Sequence, residues 1–382
     1  MKVTQLHALI NAVTKEVLGE TAVVSEDLSN VVDIGKSIID SENGIDNYVR
    51  KLVNHIGKVV FVNRAYAGGV PSVLMDGWEF GSILEKISGE LPDAEENQSW
   101  NLQDGQEYKQ DVFHQPKVEA KFFNSKVTFE IPMSFTERQV KESFSSAEQL
   151  NGFVSMLTTN IENSMTVKLD SLIMRSINNM TGETLADGNA IRAVNLLTAY
   201  NAQAATPLTA AKAITNNDFV RFATYQIALV ADRMSKISKL FNVSGKARFT
   251  PADMRRVVLL SDFAKSSEIL TAAQTENADR VALPAHDAVP YWQGSGTGYS
   301  FADVSSIDVK TASGATVKKS GIIGVMFDRD AVGVANLDRR VTTNYNAKAE
   351  FYNNYYKMDA GYYNDLAENF VVFYVEDAPA GE

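Results

Sequence analysis

The stretch SSAEQLNGFVSMLTTNIENSMTVKLDSLIMRSI, Ser145 to Ile177, decides how the rest of the chain is read. Ser145 with Glu148 three residues later is a capping-box pattern, in which each side chain takes a backbone N–H that the first helical turn leaves free. Leu150, Phe153, Val154, Leu157, Ile161, Met165, Leu169, Leu172, Ile173 and Ile177 then recur at three- and four-residue steps on one stripe. The spacing predicts an amphipathic helix of roughly 33 residues, about 50 Å long at ~1.5 Å per residue. Few globular domains hold a helix of that length without a bundle around it.

On its N-terminal side the pattern changes. Val3, Leu6, Ile10, Val13 and Val17 mark a short amphipathic helix, and similar runs follow through Leu28 to Ile39 and Ile45 to Ile56, like an arm of small helices on polar joints. From Lys58 the period becomes strand-like in KVVFVNRAYAGG. A polar centre follows, PDAEENQSWNLQDGQEYKQD, and then a strand-like return, VEAKFFNSKVTFEIPMSF. Two such flanks around a polar tip predict a long hairpin, and strands of ~20 residues would project ~65 Å. A ribbon of that size cannot bury its own faces, so it is expected to lie against something else, most economically a neighbouring copy.

On the C-terminal side, beyond Gly182, the sequence alternates. AIRAVNLLTAYN is expected as a strand, a helix is expected from Asn216, RRVVLLS as a buried strand, and SDFAKSSEIL as a helix capped by Ser261. Half of the 14 tyrosines fall between Tyr345 and Tyr374, where a sheet packed on the long helix is expected rather than a base-stacking platform, because only Lys348 and Lys357 are interleaved with them.

The 47 acidic and 36 basic residues of this 382-residue chain give a net charge of −11, which repels phosphate backbones and anionic lipid heads. No cysteine is present, which excludes disulfides, thiolate nucleophiles and sulfur-ligated metal sites. No run of ~18 apolar residues occurs and Lys15 and Glu16 stand where a signal peptide needs its apolar core, so no membrane span is expected and synthesis in the cytoplasm is.

The candidates for chemistry are few. In IIGVMFDRDAVGVANLDRR, Ile322 to Arg340, Asp328 and Asp330 sit at i and i+2, and Asp338 follows. On an extended strand the first two carboxyls would share a face about 6 to 7 Å apart, near the spacing of inverting glycosidases. The plainer expectation is a hairpin turn between two apolar runs, since Asp hydrogen-bonds bent backbone locally and no signal of a raised-pKa environment surrounds either residue. Gly294, Gly296 and Gly298 in GSGTG lack the following helix of a phosphate loop and read as a flexible loop. His7, His55, His114 and His286 are mutually distant, without metal-ligand spacing. Trp78, Trp100 and Trp292 lie in loop-rich segments, where partial burial and interface anchoring are both open.

The order of these parts resembles the major capsid proteins of tailed bacteriophages, the Hong Kong 97 type of shell protein, and is similar in its acidic hairpin tip to the small podophage members. The resemblance rests on VRKLVNHIGKVVFV leading into the hairpin, on the Ala147–Ile177 helix, on RAVNLLTAYN, and on GIIGVMFDRDAVGVANLDRRVTTNYN. It implies an α+β fold with an N-terminal arm over 1–60, an extended hairpin (E-loop) over 61–133, a peripheral domain with its spine helix over 134–184, an axial domain over 185–330, and a return to the peripheral sheet over 331–382. It implies a structural role without catalysis, cofactor or metal: self-assembly into pentamers and hexamers of an icosahedral or prolate shell around double-stranded DNA. The partners expected are other copies, a scaffolding protein and a portal protein, in a virion assembled in the bacterial cytoplasm. Some 25 to 55 residues precede the first strand, too few for a fused scaffold domain, so the scaffold is expected to be a separate protein. On the hairpin, Trp78, Glu95, Glu96, Trp100, Asp104 and Tyr108 are expected at contacts between subunits. A nanocompartment shell of the same fold, and a hydrolase using Asp328, Asp330 or Asp338, are the alternatives.

Overall fold

The computed structural model describes residues 11, 14–15, 70–75, 84–92, 94–108, 111, 113–136, 147–273, 283–292 and 306–378. Asn11, Thr14 and Lys15 belong to the described part. The rest of the expected arm, His7, His55, Trp78 and the Gly294–Gly298 loop lie outside it.

The long helix is present and exceeds the expectation: α1 runs Ala147–Ala186, 40 residues, about 60 Å at ~1.5 Å per residue. Ile161, Met165 and Leu169 are buried at four-residue steps, the signature of one covered face. From Ser171 onward the helix is buried nearly all round, which is why polar residues such as Ser176, Asn178, Thr181 and Thr184 end up inside. Thr181 and Thr184 donate their hydroxyls to the carbonyls of Ile177 and Met180 at 2.9 and 2.8 Å, so the helix satisfies them itself. The helix runs past Ile177 and through Gly182. Gly182 is the point where Val309 comes so close that a Cβ would lie 3.0 Å from that side chain. The stop is Gly188, at φ +69°, a conformation that costs a residue without Cβ little.

Two sheets flank α1. The first has the order β1-β11-β12-β4: β1 (Leu74–Met75), β4 (Lys126–Thr136), β11 (Val332–Asn346) and β12 (Phe351–Asn364). The tyrosine-rich strand β12 alternates buried and half-buried, placing Tyr352, Tyr356, Met358 and Ala360 in the core that α1 covers. The second has the order β5-β13-β10-β6-β7: β5 (Ala193–Asn195), β6 (Arg255–Leu260), β7 (Asp287–Val289), β10 (Ile322–Asp328) and β13 (Phe370–Tyr374). Its middle strands read as unbroken apolar runs because both faces are covered. Val325, Phe327, Val258 and Val372 join the core under α1, whereas Met326, Val257, Leu259 and Phe373 join a second core with the helices α2 (Leu196–Asn201) and α3 (Asn217–Met234). Helix α4 (Ser261–Ala273) adds Phe263 and Ala264 to that core.

Several expectations are corrected. AIRAVNLLTAYN yields only the three-residue β5, because Asn195 caps α2 by accepting from the Leu197 and Thr198 N–H groups and turns the chain into a helix. Among the described residues the hairpin is a ladder of six pairs, β2 (Leu84–Gly89) against β3 (Val118–Phe123), about 20 Å long at ~3.3 Å per residue, and the strand-like flank over 58–69 lies outside those residues. Its expected second half breaks at Asn124–Ser125, after which β4 pairs with β12 inside the body. The turn at Asp328 is a turn but closes no hairpin, since β10 and β11 pair with different strands and belong to different sheets. Nor do residues 331–382 all return to one sheet, because β13 lies in the five-stranded one. Trp292, whose burial stood open, is fully buried in the core under α1.

Candidate functional site

Asp328 ends β10 and is buried, its side chain closing a local network. One oxygen accepts from the Thr250 hydroxyl at 2.8 Å and the other from the Asp330 N–H at 2.9 Å. Asn369 in turn donates to Thr250 at 3.1 Å. Burial pushes the Asp328 carboxyl up, against the pull of these donors. That environment was invisible in the sequence, because Thr250 and Asn369 are remote in it. Asp330 lies in the turn with its side chain toward Arg329, and Asp338 is exposed beside Arg340. Both oxygens of the buried carboxylate are engaged by Thr250 and the turn, and Asp330 and Asp338 each lie beside an arginine, so the hydrolase arrangement is not formed. His114 is exposed, and His286 faces the Pro284 carbonyl at 2.9 Å. Among the described residues no cluster of His, Asp and Glu could hold a metal ion, and no helix is long and apolar enough to cross a membrane.

The surface with unsatisfied character is the hairpin. Between β2 and β3 the chain forms an irregular tip with one short 3-10 turn, Gln98–Trp100. Trp100 is 94% exposed and Phe113 87%, with Leu91 and Leu102 also exposed. Glu95, Glu96 and Asp104 are exposed around them, and Tyr108 accepts the Gln103 N–H at 2.8 Å, which folds the tip on itself. Thus five of the six expected contact residues are described, and all five are on one exposed loop. Sequence reasoning missed Ile87, Val118 and Phe122, which alternate on the outer face of the ladder and are each about two-thirds exposed. The alternation was legible, but which face turned outward was not.

Covering indoles and phenyls with a partner surface is favourable because it removes apolar area from water, and large exposed apolar patches on a folded protein mark such surfaces. The sequence matches the family of Phi29-like phage major capsid proteins over residues 10–374. The chain belongs to that family. The capsid protein is similar in fold to the capsid structure of Staphylococcus phage Andhra, at 9% identity and TM-score 0.51 over 83% of this chain and 87% of that one. It is likewise similar to the capsid structure of the cyanophage P-SCSP1u, at 11% identity and TM-score 0.50 over 83% and 91% of the two chains. No curated protein matches it. The α+β architecture is that of the Hong Kong 97-type shell proteins, and the capsid protein is a structural component of the virion rather than an enzyme.

Proposed function

We propose that the capsid protein forms pentamers and hexamers of a closed icosahedral or prolate shell around double-stranded DNA, with the hairpin laid over a neighbouring copy. The observation that carries this reading is the exposed apolar surface within residues 84–123, where Ile87, Leu91, Trp100, Leu102, Phe113 and Phe122 are each more than half exposed. Trp78, Glu95, Glu96, Trp100, Asp104 and Tyr108 are proposed contacts between subunits, with the aromatics as anchors and the acids as a polar rim. In this reading 134–184 with most of 331–382 forms the peripheral domain, joined by β1 and β4 of its sheet, 185–330 the axial domain, and the rest of 61–133 the extended loop. A separate scaffolding protein and a portal protein are the partners during assembly in the bacterial cytoplasm. The net charge of −11 suits a wall that must not grip a genome that is packed and later ejected. Deleting residues 93–108 tests the proposal: the chain should remain soluble, unfold cooperatively and fail to close shells in electron micrographs. Closed shells from the deleted protein would overturn it.

A further inference from the structure

The ladder is partly inside-out for a surface hairpin: Ile87, Val118 and Phe122 point away from the body together with Glu85, while Lys86, Glu119 and Lys121 point toward it together with Leu84 and Phe123. On the inner face Lys86 sends its ammonium to Glu368 at 2.8 Å, to Asp365 at 2.9 Å and to the Asp330 carbonyl at 3.2 Å. Lys121, its cross-strand partner, reaches the other Asp365 oxygen at 2.8 Å. At the far end of the ladder the body returns the contact, with Lys246 at 2.9 Å from Glu90 and 3.2 Å from Glu119. The Phe123 and Tyr363 rings meet at 5.0 Å between centroids.

The anchor points are not arbitrary. Asp365 and Glu368 lie in the link from β12 to β13, and Asp330 lies in the turn from β10 to β11. These are two crossings of the chain between its sheets, and they are bonded to each other: the Asp365 N–H donates to Ala331 at 2.8 Å, and the Asp328 N–H to Asn369 at 2.9 Å. We infer that the hairpin is held by an ionic clamp to the joint between the two sheets of its own subunit, so that the relative angle of the sheets sets where the hairpin's apolar face is aimed. Charged pairs fix orientation at modest cost when both ends keep partners, and a buried carboxylate such as Asp365, bridging two ammoniums, resists being left unpaired. The clamp is internal to one chain and is independent of whether shells form.

The chain's lack of cysteine allows a clean distance measurement. Spin labels on Val118→Cys, at the outer face of the ladder, and Ile269→Cys, on exposed α4, would be read by pulsed electron resonance in the full chain diluted with unlabelled protein. The parent should give one narrow distance distribution. Lys246→Glu, which sets three carboxylates together at an exposed site, should broaden or shift it, and adding Glu90→Lys with Glu119→Lys should restore it. Lys86→Met with Lys121→Met should broaden it further. A broad distribution in the parent, no response to either set of substitutions, or failure of the charge swap to restore the parent distance would overturn the clamp.

Discussion

At Asp328 a carboxylate that could have been catalytic is used to bind a turn. Its two oxygens accept from Thr250 and from the Asp330 N–H, and burial holds its proton more tightly than usual. The sign follows from that direction. The unfolded chain ionises this group near 3.8, the folded chain at a higher pH, so the charged folded form loses stability as pH rises from about 3.8 to the folded value. Asp328→Asn keeps an acceptor for the turn and removes the charge. Urea unfolding of both proteins between pH 3.5 and 7 should therefore show the variant gaining on the parent as pH rises through that window, and then a constant difference. The opposite sign applies at the clamp. Burial would raise Asp365, but Lys121 and Lys86 outweigh it and hold it below its ordinary value, so its contribution is present above about 3.8 and is lost only on stronger acidification. At Gly182 the prediction is steric: Gly182→Leu pushes four carbons into the space Val309 occupies and should cost about 1–3 kcal/mol, seen as a lower thermal midpoint.

Among the elements, α1 carries most, since it covers the four-stranded sheet and also touches β13 and the hairpin of β8 (Ser306–Lys310) and β9 (Thr316–Ser320). Leu172, fully buried at its middle, has few ways to be replaced, and Leu172→Ala should cost about 2–5 kcal/mol in urea unfolding of the full chain. This element was the most legible part of the sequence, because Ile161, Met165 and Leu169 keep the helical period. Its last nine residues, Asn178 to Ala186, were not, because the apolar stripe was followed only to Ile177 and what covers Asn178, Thr181 and Thr184 is remote in sequence. The middle strands of the five-stranded sheet were legible for the opposite reason: with both faces covered, β6 and β10 have no polar alternation to obscure them. The extent of the hairpin ladder was misjudged because VEAKFFNSKVTFEIPMSF alternates throughout, and periodicity cannot say that Asn124–Ser125 divides it between two pairing partners. For the same reason the tip was found as a polar insert, while Ile87, Val118 and Phe122 were not.

For the whole molecule, the family and the fold place the chain in a phage shell, and the physical logic of that role is in the partition of its surface. Two cores meet at one sheet, and a hairpin carries Trp100, Phe113 and Phe122 outward on a charged base. Electron cryo-microscopy of the assembled particles tests this most directly. The account predicts a closed shell in which Trp100, Phe113 and Phe122 are covered by an adjacent copy while Lys86 and Lys121 remain on Asp365 and Glu368 of their own chain. A shell in which those aromatic residues face solvent, with the hairpin touching no neighbour, would contradict it.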